Sequence, residues 1–447
     1  MNDTICAIST ALGVGAISII RVSGDNAIKI VNEIFDKDLT KVNSHTINYG
    51  HIIYENTIVD EVMVSVMKAP KTYTKEDIIE INSHGGISTT NKVLELLLLK
   101  GARLAEPGEF TKRAFLNGRL DLIEAESVMD LINSKTDYSR KLALNGIEGN
   151  ISKLIHEIID KLLDINSNIE VNIDYPEYED IEVITKDKIK EVSNFINKKL
   201  EVLLKESENG KLIKEGIDTI ILGRPNVGKS SILNSLIDED KAIVTSIAGT
   251  TRDIVEGNIR INGILLNIID TAGIRKTDDI VEKIGVEKSL SLIDKSDLII
   301  LVFNNNEPLN QEDKELLEKT KDKKRIIVVN KCDLPNKLEL NIKDENILMI
   351  SALDNVELLK NEIINKFNLE DINNKDFTYL SNSRQIALIK KALQLSKKLE
   401  KDLNDNIYID MLEIDIKEIC EILNEVIGES YDDKLIDKIF SNFCLGK

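Results

Sequence analysis

The sequence predicts three kinds of architecture in one chain: an α+β domain over residues 1–118, an all-α domain, and a doubly wound α/β domain inserted into the helical one. Three observations lead there. Short β-like runs mix with helical pieces before residue 118. Apolar residues at helical spacing fill two separate stretches, 119–215 and 371–447. Between them, residues 216–370 carry strand-like apolar runs that end on turns bearing glycine, asparagine or aspartate.

In the first domain Ala16 to Val22, Glu61 to Met67 and Ile78 to Asn82 read as strands, and Asn91 to Lys100 as helix. Residues Ile5 to Ile20 are apolar but follow Met-Asn-Asp rather than a basic leader. They read as a strand pair with a glycine turn, not as a signal peptide. From Leu120 the pattern turns helical. Ile151, Leu154, Ile155, Ile158, Ile159, Leu162 and Leu163 share one helix face, and Ile184 to Leu204 continues in that style. Asp174 to Asp180 reads as an acidic, solvated connection. After a polar linker, Asp371 to Asp376, helices are expected over Gln385 to Leu403, Met411 to Ile427 and Asp433 to Phe440. Like character on both sides of 216–370 predicts an insertion, which a domain tolerates where its chain ends lie close together.

Composition narrows the function. A formal charge of −19 argues against a basic nucleic-acid clamp, while leaving room for a local basic patch. Cys6, Cys332, Cys420 and Cys444 form no Cys-x-x-Cys pair, and four histidines give no zinc spacing. A reduced, cytoplasmic protein is expected, and no stretch reaches the ~20 apolar residues of a membrane span. Cys444 stands fourth from the end, but Gly446 and Lys447 are wrong for a prenylation box.

The inserted domain carries the chemistry. Gly223 to Ser230 reads Gly-Arg-Pro-Asn-Val-Gly-Lys-Ser after the apolar run Ile217 to Leu222, and Ser231 to Leu236 follows at helix spacing. Such a loop lets the backbone N–H groups of Asn226, Val227, Gly228 and their neighbours close around phosphate oxygens. Lys229 reaches the β/γ-phosphates, the Ser230 hydroxyl ligates magnesium, and Ser231 completes the turn into the helix. Asn330-Lys331-Cys332-Asp333 supplies a base reader, because the Asp333 carboxylate accepts the paired N–H groups of guanine that adenine lacks. Asp270-Thr271-Ala272-Gly273 follows the run Ile264 to Ile269 and suits a carboxylate holding magnesium through water, with the Gly273 N–H sensing the γ-phosphate. Ser351-Ala352-Leu353 suits a loop touching the base. Thr245-Ser246-Ile247-Ala248-Gly249-Thr250-Thr251 lies between the first and third segments, with Thr251 as the threonine that closes on magnesium. Together these predict a P-loop, Ras-like GTP-binding domain. Where many GTPases place a water-orienting glutamine this chain has Ile274, so hydrolysis needs another device. Arg275 is a surface charge or a helper. The Asn226 amide either joins a monovalent-cation cage or braces the loop.

The chain resembles, almost end to end, the tRNA uridine-modification GTPases of the MnmE/TrmE family. The resemblance runs through Ile19 to Gly24, Tyr73-Thr74-Lys75-Glu76-Asp77, His84-Gly85-Gly86, Pro107 to Phe110, Arg113 to Asn117, Gly249 to Asp253 and the closing Phe443-Cys444-Leu445-Gly446-Lys447. It implies an N-terminal folate-binding and dimerisation domain over 1–118, a helical domain in two parts, 119–215 and 371–447, and the inserted G domain over 216–370. It also implies a homodimer that works with a FAD-dependent MnmG/GidA-type partner. The two add an aminomethyl or carboxymethylaminomethyl group to carbon 5 of the wobble uridine of tRNA. The carbon comes from a tetrahydrofolate of the 5-formyl or 5,10-methylene kind. By the same resemblance Asn226, Thr245, Ile247 and Thr250 bind potassium, and Glu282 orients the water. Arg21, Glu80, Arg119 and Lys447 bind folate. Family members often have lysine where this chain has Arg119, so the fork geometry differs there. Cys444 is a catalytic candidate or packs as a small hydrophobe. Glu80 interrupts the apolar run Ile78 to Ile81, so a buried carboxylate awaiting a ligand is expected. The competing function is a ribosome-assembly switch binding rRNA, which would need an appended basic module. After residue 371 only helices of mixed charge are expected.

Overall fold

The computed structural model describes residues 3–174, 186–239, 257–269, 292–340, 346–351, 355–367, 379–405 and 407–447. The chain divides into two compact units. One comprises residues Met1–Met129, Ile147–Asn197 and Lys391–Lys447, and the other Asp130–Gly146 and Lys198–Lys390.

The first unit holds a six-stranded sheet of β1 (Ile5–Ile8), β2 (Ile17–Ser23), β3 (Thr46–Tyr54), β4 (Thr57–Met67), β5 (Ile78–His84) and β6 (Arg103–Leu104), in the order β3-β4-β5-β2-β1-β6. All neighbours are antiparallel except the β1–β6 pair. The expected strand pair within Ile5 to Ile20 is present as β1 and β2, in register from Ile5↔Ser23 to Ile8↔Ile20. Alternation sorts the side chains. Ile20, Val22, Val64, Val66, Ile79 and Ile81 are buried in one core with Val93, Leu96 and Leu97 of the helix Ile87–Leu99. Residues between them, Arg21 and Glu80 among these, therefore point to the other face.

The helical pattern is borne out. Ile151, Ile155, Ile158, Ile159 and Leu162 line the buried stripe of the helix Asn150–Asp174, although Leu163 is exposed. Helices follow at Lys186–Glu215, Ser383–Asn404, Ile409–Ile427 and Asp433–Phe440. The second of these five runs past Leu204 to Glu215, almost to the first strand of the inserted sheet. The acidic connection Asp174 to Asp180 lies, from residue 175 on, outside the described residues.

The second unit holds another six-stranded sheet of β7 (Ile217–Leu222), β8 (Gly257–Ile261), β9 (Ile264–Ile268), β10 (Leu298–Asn304), β11 (Arg325–Asn330) and β12 (Ile347–Met349). Its order is β12-β11-β10-β7-β9-β8, parallel except for the β8–β9 hairpin. β7, β10 and β11 are almost wholly buried, as parallel strands covered on both faces must be. The fold class is as expected: an α+β domain, helices, and an inserted α/β domain.

Candidate functional site

Two clusters of functional side chains emerge, one in each unit. In the second unit the strand β7 ends at Leu222 and the helix Lys229–Glu239 begins seven residues on, so the loop Gly223–Gly228 sits where parallel strands deliver ligands to helix N-termini. The loop is held from several sides. Gly223, at φ +150°, lies so near β10 that a Cβ would meet the Val302 carbonyl oxygen at 2.3 Å. Gly228, at φ +100°, leaves room for the Asn330 amide, whose Nδ2 a Cβ would meet at 2.1 Å. Asn330 itself is 2% exposed and donates to the Val227 carbonyl at 2.9 Å. Lys331 Nζ donates to the Asn226 carbonyl at 2.7 Å. Only Pro225 and Asn226 crest into solvent, Asn226 with φ +62°.

Lys229 Nζ donates to the carbonyls of Gly223 and Arg224, both at 2.7 Å. These bonds hold the ammonium against the backbone of the loop itself. Ser230 and Ser231 are exposed in the first turn of the helix. The base-reading segment leaves β11 next to the loop. Asp333 is exposed, and Ser351 follows β12 closely enough that Ile350 N–H bonds Val329 and Cys332 N–H bonds Ile350. The phosphate loop and the Asn330–Asp333 turn are thus brought together by direct hydrogen bonds. Thr245, Ser246, Ile247, Ala248, Gly249, Thr250, Thr251, Asp270, Thr271, Ala272, Gly273, Glu282, Ala352 and Leu353 lie outside the described residues.

In the first unit a second cluster forms around Tyr73. The register of β2 and β5 sets Arg21 directly beside Glu80, and Arg21 Nε and Nη2 reach Glu80 Oε1 at 2.9 and 2.8 Å. Glu80 is therefore partly exposed and already paired, not a buried carboxylate awaiting a ligand. The run Ile78 to Ile81 hid an alternation, because strand side chains change face at every residue. Arg21 also donates to the Gly446 carbonyl at 3.2 Å, which Ser9 Oγ shares at 3.1 Å.

Three cations surround one aromatic ring. The Arg119 guanidinium lies 4.7 Å from the Tyr73 ring centroid, Lys447 Nζ 5.8 Å and the Arg21 guanidinium 5.9 Å. Arg119 also donates to the Tyr73 carbonyl at 3.1 Å, and the Tyr73 hydroxyl pairs with Thr111 at 2.9 Å. Burial drives the Tyr73 phenol above its ordinary value, against the pull of Arg119 and Arg21. Burial drives the Lys447 amine below the usual lysine value, and the Arg21 charge pushes the same way, opposed by Glu80. The side chains gathered here are three cations and one carboxylate, Glu80. Cys444 is exposed nearby in sequence, its carbonyl accepting the N–H groups of Lys447 and Gly108, each at 3.3 Å.

Arg21, Glu80, Arg119 and Lys447 are thus brought together from positions far apart in the chain. Tyr73, the hub, and Phe110, 5.6 Å from the Arg21 guanidinium, were not anticipated. Both lie in segments that carry the family resemblance, Tyr73 opening Tyr73 to Asp77 and Phe110 closing Pro107 to Phe110. Among the described residues no His/Cys/Asp/Glu group could hold a metal ion, and no helix is long and apolar enough to cross a membrane.

Comparison with known proteins adds the family. A model of the MnmE helical domain matches residues 122–444, and one of the GTP-binding protein TrmE N-terminus matches residues 4–119. The tRNA modification GTPase MnmE of Streptococcus thermophilus is 51% identical over 449 residues, covering 100% of this chain and 98% of that protein. Its namesake in Streptococcus agalactiae is 51% identical over 451 residues, with 100% and 98% covered. That of Enterococcus faecalis is 50% identical over 457 residues, with the same coverage. Among solved structures, Era in complex with MgGDPNP and a 16S ribosomal RNA fragment is similar at 28% identity over 34% of this chain and 56% of that chain, TM-score 0.25. Matched by the helical-domain model over most of its length and about half identical end to end to these relatives, the chain belongs to the MnmE family of tRNA modification GTPases.

Proposed function

We propose that this GTPase couples GTP hydrolysis to the modification of carbon 5 of the wobble uridine of tRNA. In this reading it is a homodimer working with a FAD-dependent partner of MnmG/GidA type, and it takes its one-carbon unit from a tetrahydrofolate. The observation that carries the reading is the gathering of Arg21, Arg119 and Lys447 around Tyr73, with Glu80 alongside. A GTPase acting only as a switch has no use for a second anion site so assembled. The proposed domain limits are those of the sequence: 1–118, 119–215, 216–370 and 371–447.

The residues fit a folate. Glu80 offers a carboxylate to an amino-pyrimidinone edge, and the three cations suit glutamate carboxylates. When bound, the folate supplies the carbon. Tyr73 gives a flat face beside the cations. Glu80 must share its oxygens between Arg21 and the ligand, so the Arg21 fork is free to swing to an anion when Glu80 turns. Cys444 is assigned either a chemical role or a packing one.

At the nucleotide site Lys229 exchanges the Gly223 and Arg224 carbonyls for the β/γ-phosphates, and backbone N–H groups of the loop close on the same oxygens. Ser230 and Thr251 would hold magnesium, and Asp270 would hold it through water; the ion neutralises phosphate charge. Asn226, Thr245, Ile247 and Thr250 would hold potassium, and the exposed crest position of Asn226 leaves its amide free to turn toward an ion. Glu282 orients the attacking water, and Asp333 reads guanine.

The test is mass spectrometry of wobble-uridine nucleosides from cells lacking the protein, with and without a plasmid-borne copy. Loss of the modified nucleoside and its return with the copy are expected. An unchanged nucleoside profile removes the modification reading while leaving GTP hydrolysis in place.

A further inference from the structure

Arg224, the second residue of the phosphate loop, has so far lent only its carbonyl, yet its side chain is held by two carboxylates. Its Nε lies 3.0 and 2.9 Å from the two carboxylate oxygens of Asp313, and its Nη2 is 3.2 Å from Glu307. Asp313 has 0% of its side chain exposed and Arg224 only 16%. Such a pair is retained at the expense of desolvating both charges, so its geometry must be well satisfied.

Asp313 cannot drift. Its carboxylate accepts the Asn310 N–H at 3.1 Å while its own N–H bonds the Asn310 side chain at 3.0 Å, a reciprocal cap at the start of the helix Gln311–Lys319. The cap fixes the carboxylate, and the carboxylate fixes the guanidinium. The segment that carries it serves the base side too. Asn304 Nδ2 donates to Glu307 at 2.7 Å, Asn305 N–H bonds the Asn330 carbonyl at 2.9 Å, and Asn305 Nδ2 bonds Leu334 at 2.9 Å.

We infer that Arg224 is a positioning residue: anchored on Asp313, it holds the carbonyl that directs Lys229 and so preforms the phosphate loop for nucleotide. The physical link is short. The Arg224 carbonyl is one of the two acceptors of Lys229 Nζ, and the side chain of that same residue is tied to Asp313 and Glu307. Without the pair, the loop pays for its ordering when nucleotide binds, and affinity falls while chemistry in the bound state is kept.

The inference rests on the guanine-nucleotide reading of the loop, and GDP titration of the unaltered protein tests that reading alone. Titrations of GDP into Arg224→Met, Arg224→Lys, Asp313→Asn and the Arg224→Met/Asp313→Asn double variant test the inference. Arg224→Met and Asp313→Asn should each raise the GDP dissociation constant roughly 10-fold, and the double variant should lose no more than either alone. Arg224→Lys should recover part of the loss. For GTP turnover, KM should rise with kcat nearly unchanged, a split that general destabilisation does not produce. If Arg224→Met is poorly folded, the same cycle is read with Arg224→Lys and Asp313→Asn. Wild-type affinity in the folded variants, or losses that add in the double variant, would overturn the inference.

Discussion

The two clusters differ in how they are made. The nucleotide site is built from contiguous segments, each a strand end plus a turn, and its precision comes from backbone: carbonyls, N–H groups and glycine torsions. The Tyr73 cluster is built from residues 21, 73, 80, 119 and 447, single side chains brought together by strand register and by the docking of the C-terminal segment. A backbone-made site tolerates few substitutions inside its segments but announces itself in sequence. A side-chain-made site announces nothing, and each member can be changed without breaking the fold around it.

Substitutions sharpen this contrast, beginning with the largest expected effect. Asp333→Asn should move preference from guanosine toward xanthosine nucleotides by about 10⁴-fold in relative affinity, because a side chain hydrogen-bonded to one edge of the base rejects a mismatched partner strongly. A competition titration of GDP against XDP reads it, and retained guanine selectivity would show that another group reads the base. Next, Glu282→Ala should lower single-turnover GTP hydrolysis by ~10²-fold with nucleotide and folate affinity kept. A parent rate in a phosphate-release assay would move the water-orienting role elsewhere.

Changes in the Tyr73 cluster should be smaller and confined. Glu80→Ala should weaken 5-formyl-tetrahydrofolate binding by roughly 10-fold, in line with a polar edge left unpaired at 1–3 kcal/mol. It also frees Arg21, so p-aminobenzoylglutamate, which lacks the pterin edge, should bind as well as before or better. Calorimetry with both ligands separates the two, and equal losses would mean that Glu80 acts only through Arg21. GTP turnover should be untouched.

The smallest effect is a proton. The Lys447 amine is held below its ordinary value in the folded chain, so its charging opposes folding at neutral pH. That penalty is relieved as pH rises through the lowered value toward the ordinary one. An anion beside it reverses the bias, so folate binding should take up protons and weaken a few-fold as pH rises through that window. Titration in two buffers of different ionisation enthalpy measures the uptake, and Lys447→Met should abolish it. Identical heats for the parent protein in both buffers would remove Lys447 from contact with the anion.

What was legible follows the same division. Glycines at 223 and 228 and the sequence Asn330 to Asp333 were readable because each type is demanded by local geometry. The long helices were readable because burial repeats every turn; the helix Asn150–Asp174 departs from expectation only at Leu163, on the rim of its stripe. Strands in the first unit were harder. β3 is not legible in the sequence, since its exposed positions are Ile47 and Tyr49 while polar Thr46, Asn48 and His51 are half-buried, so residue type does not sort by face. Glu80 is half-exposed rather than buried, because an apolar run looks the same whether its carboxylate is buried or turned outward. Tyr73 could not be found, for a ring becomes a hub only when three distant cations arrive.

One bond carries a consequence in time rather than space. Arg21 and the Gly446 carbonyl stand 425 positions apart, and loop closure over such a length is slow to be rewarded. On the ribosome, every strand and turn of the nucleotide site is synthesised before residue 446 emerges. A nascent chain stalled short of that point should already retain GDP on a column, yet ignore the anion that the completed chain would hold.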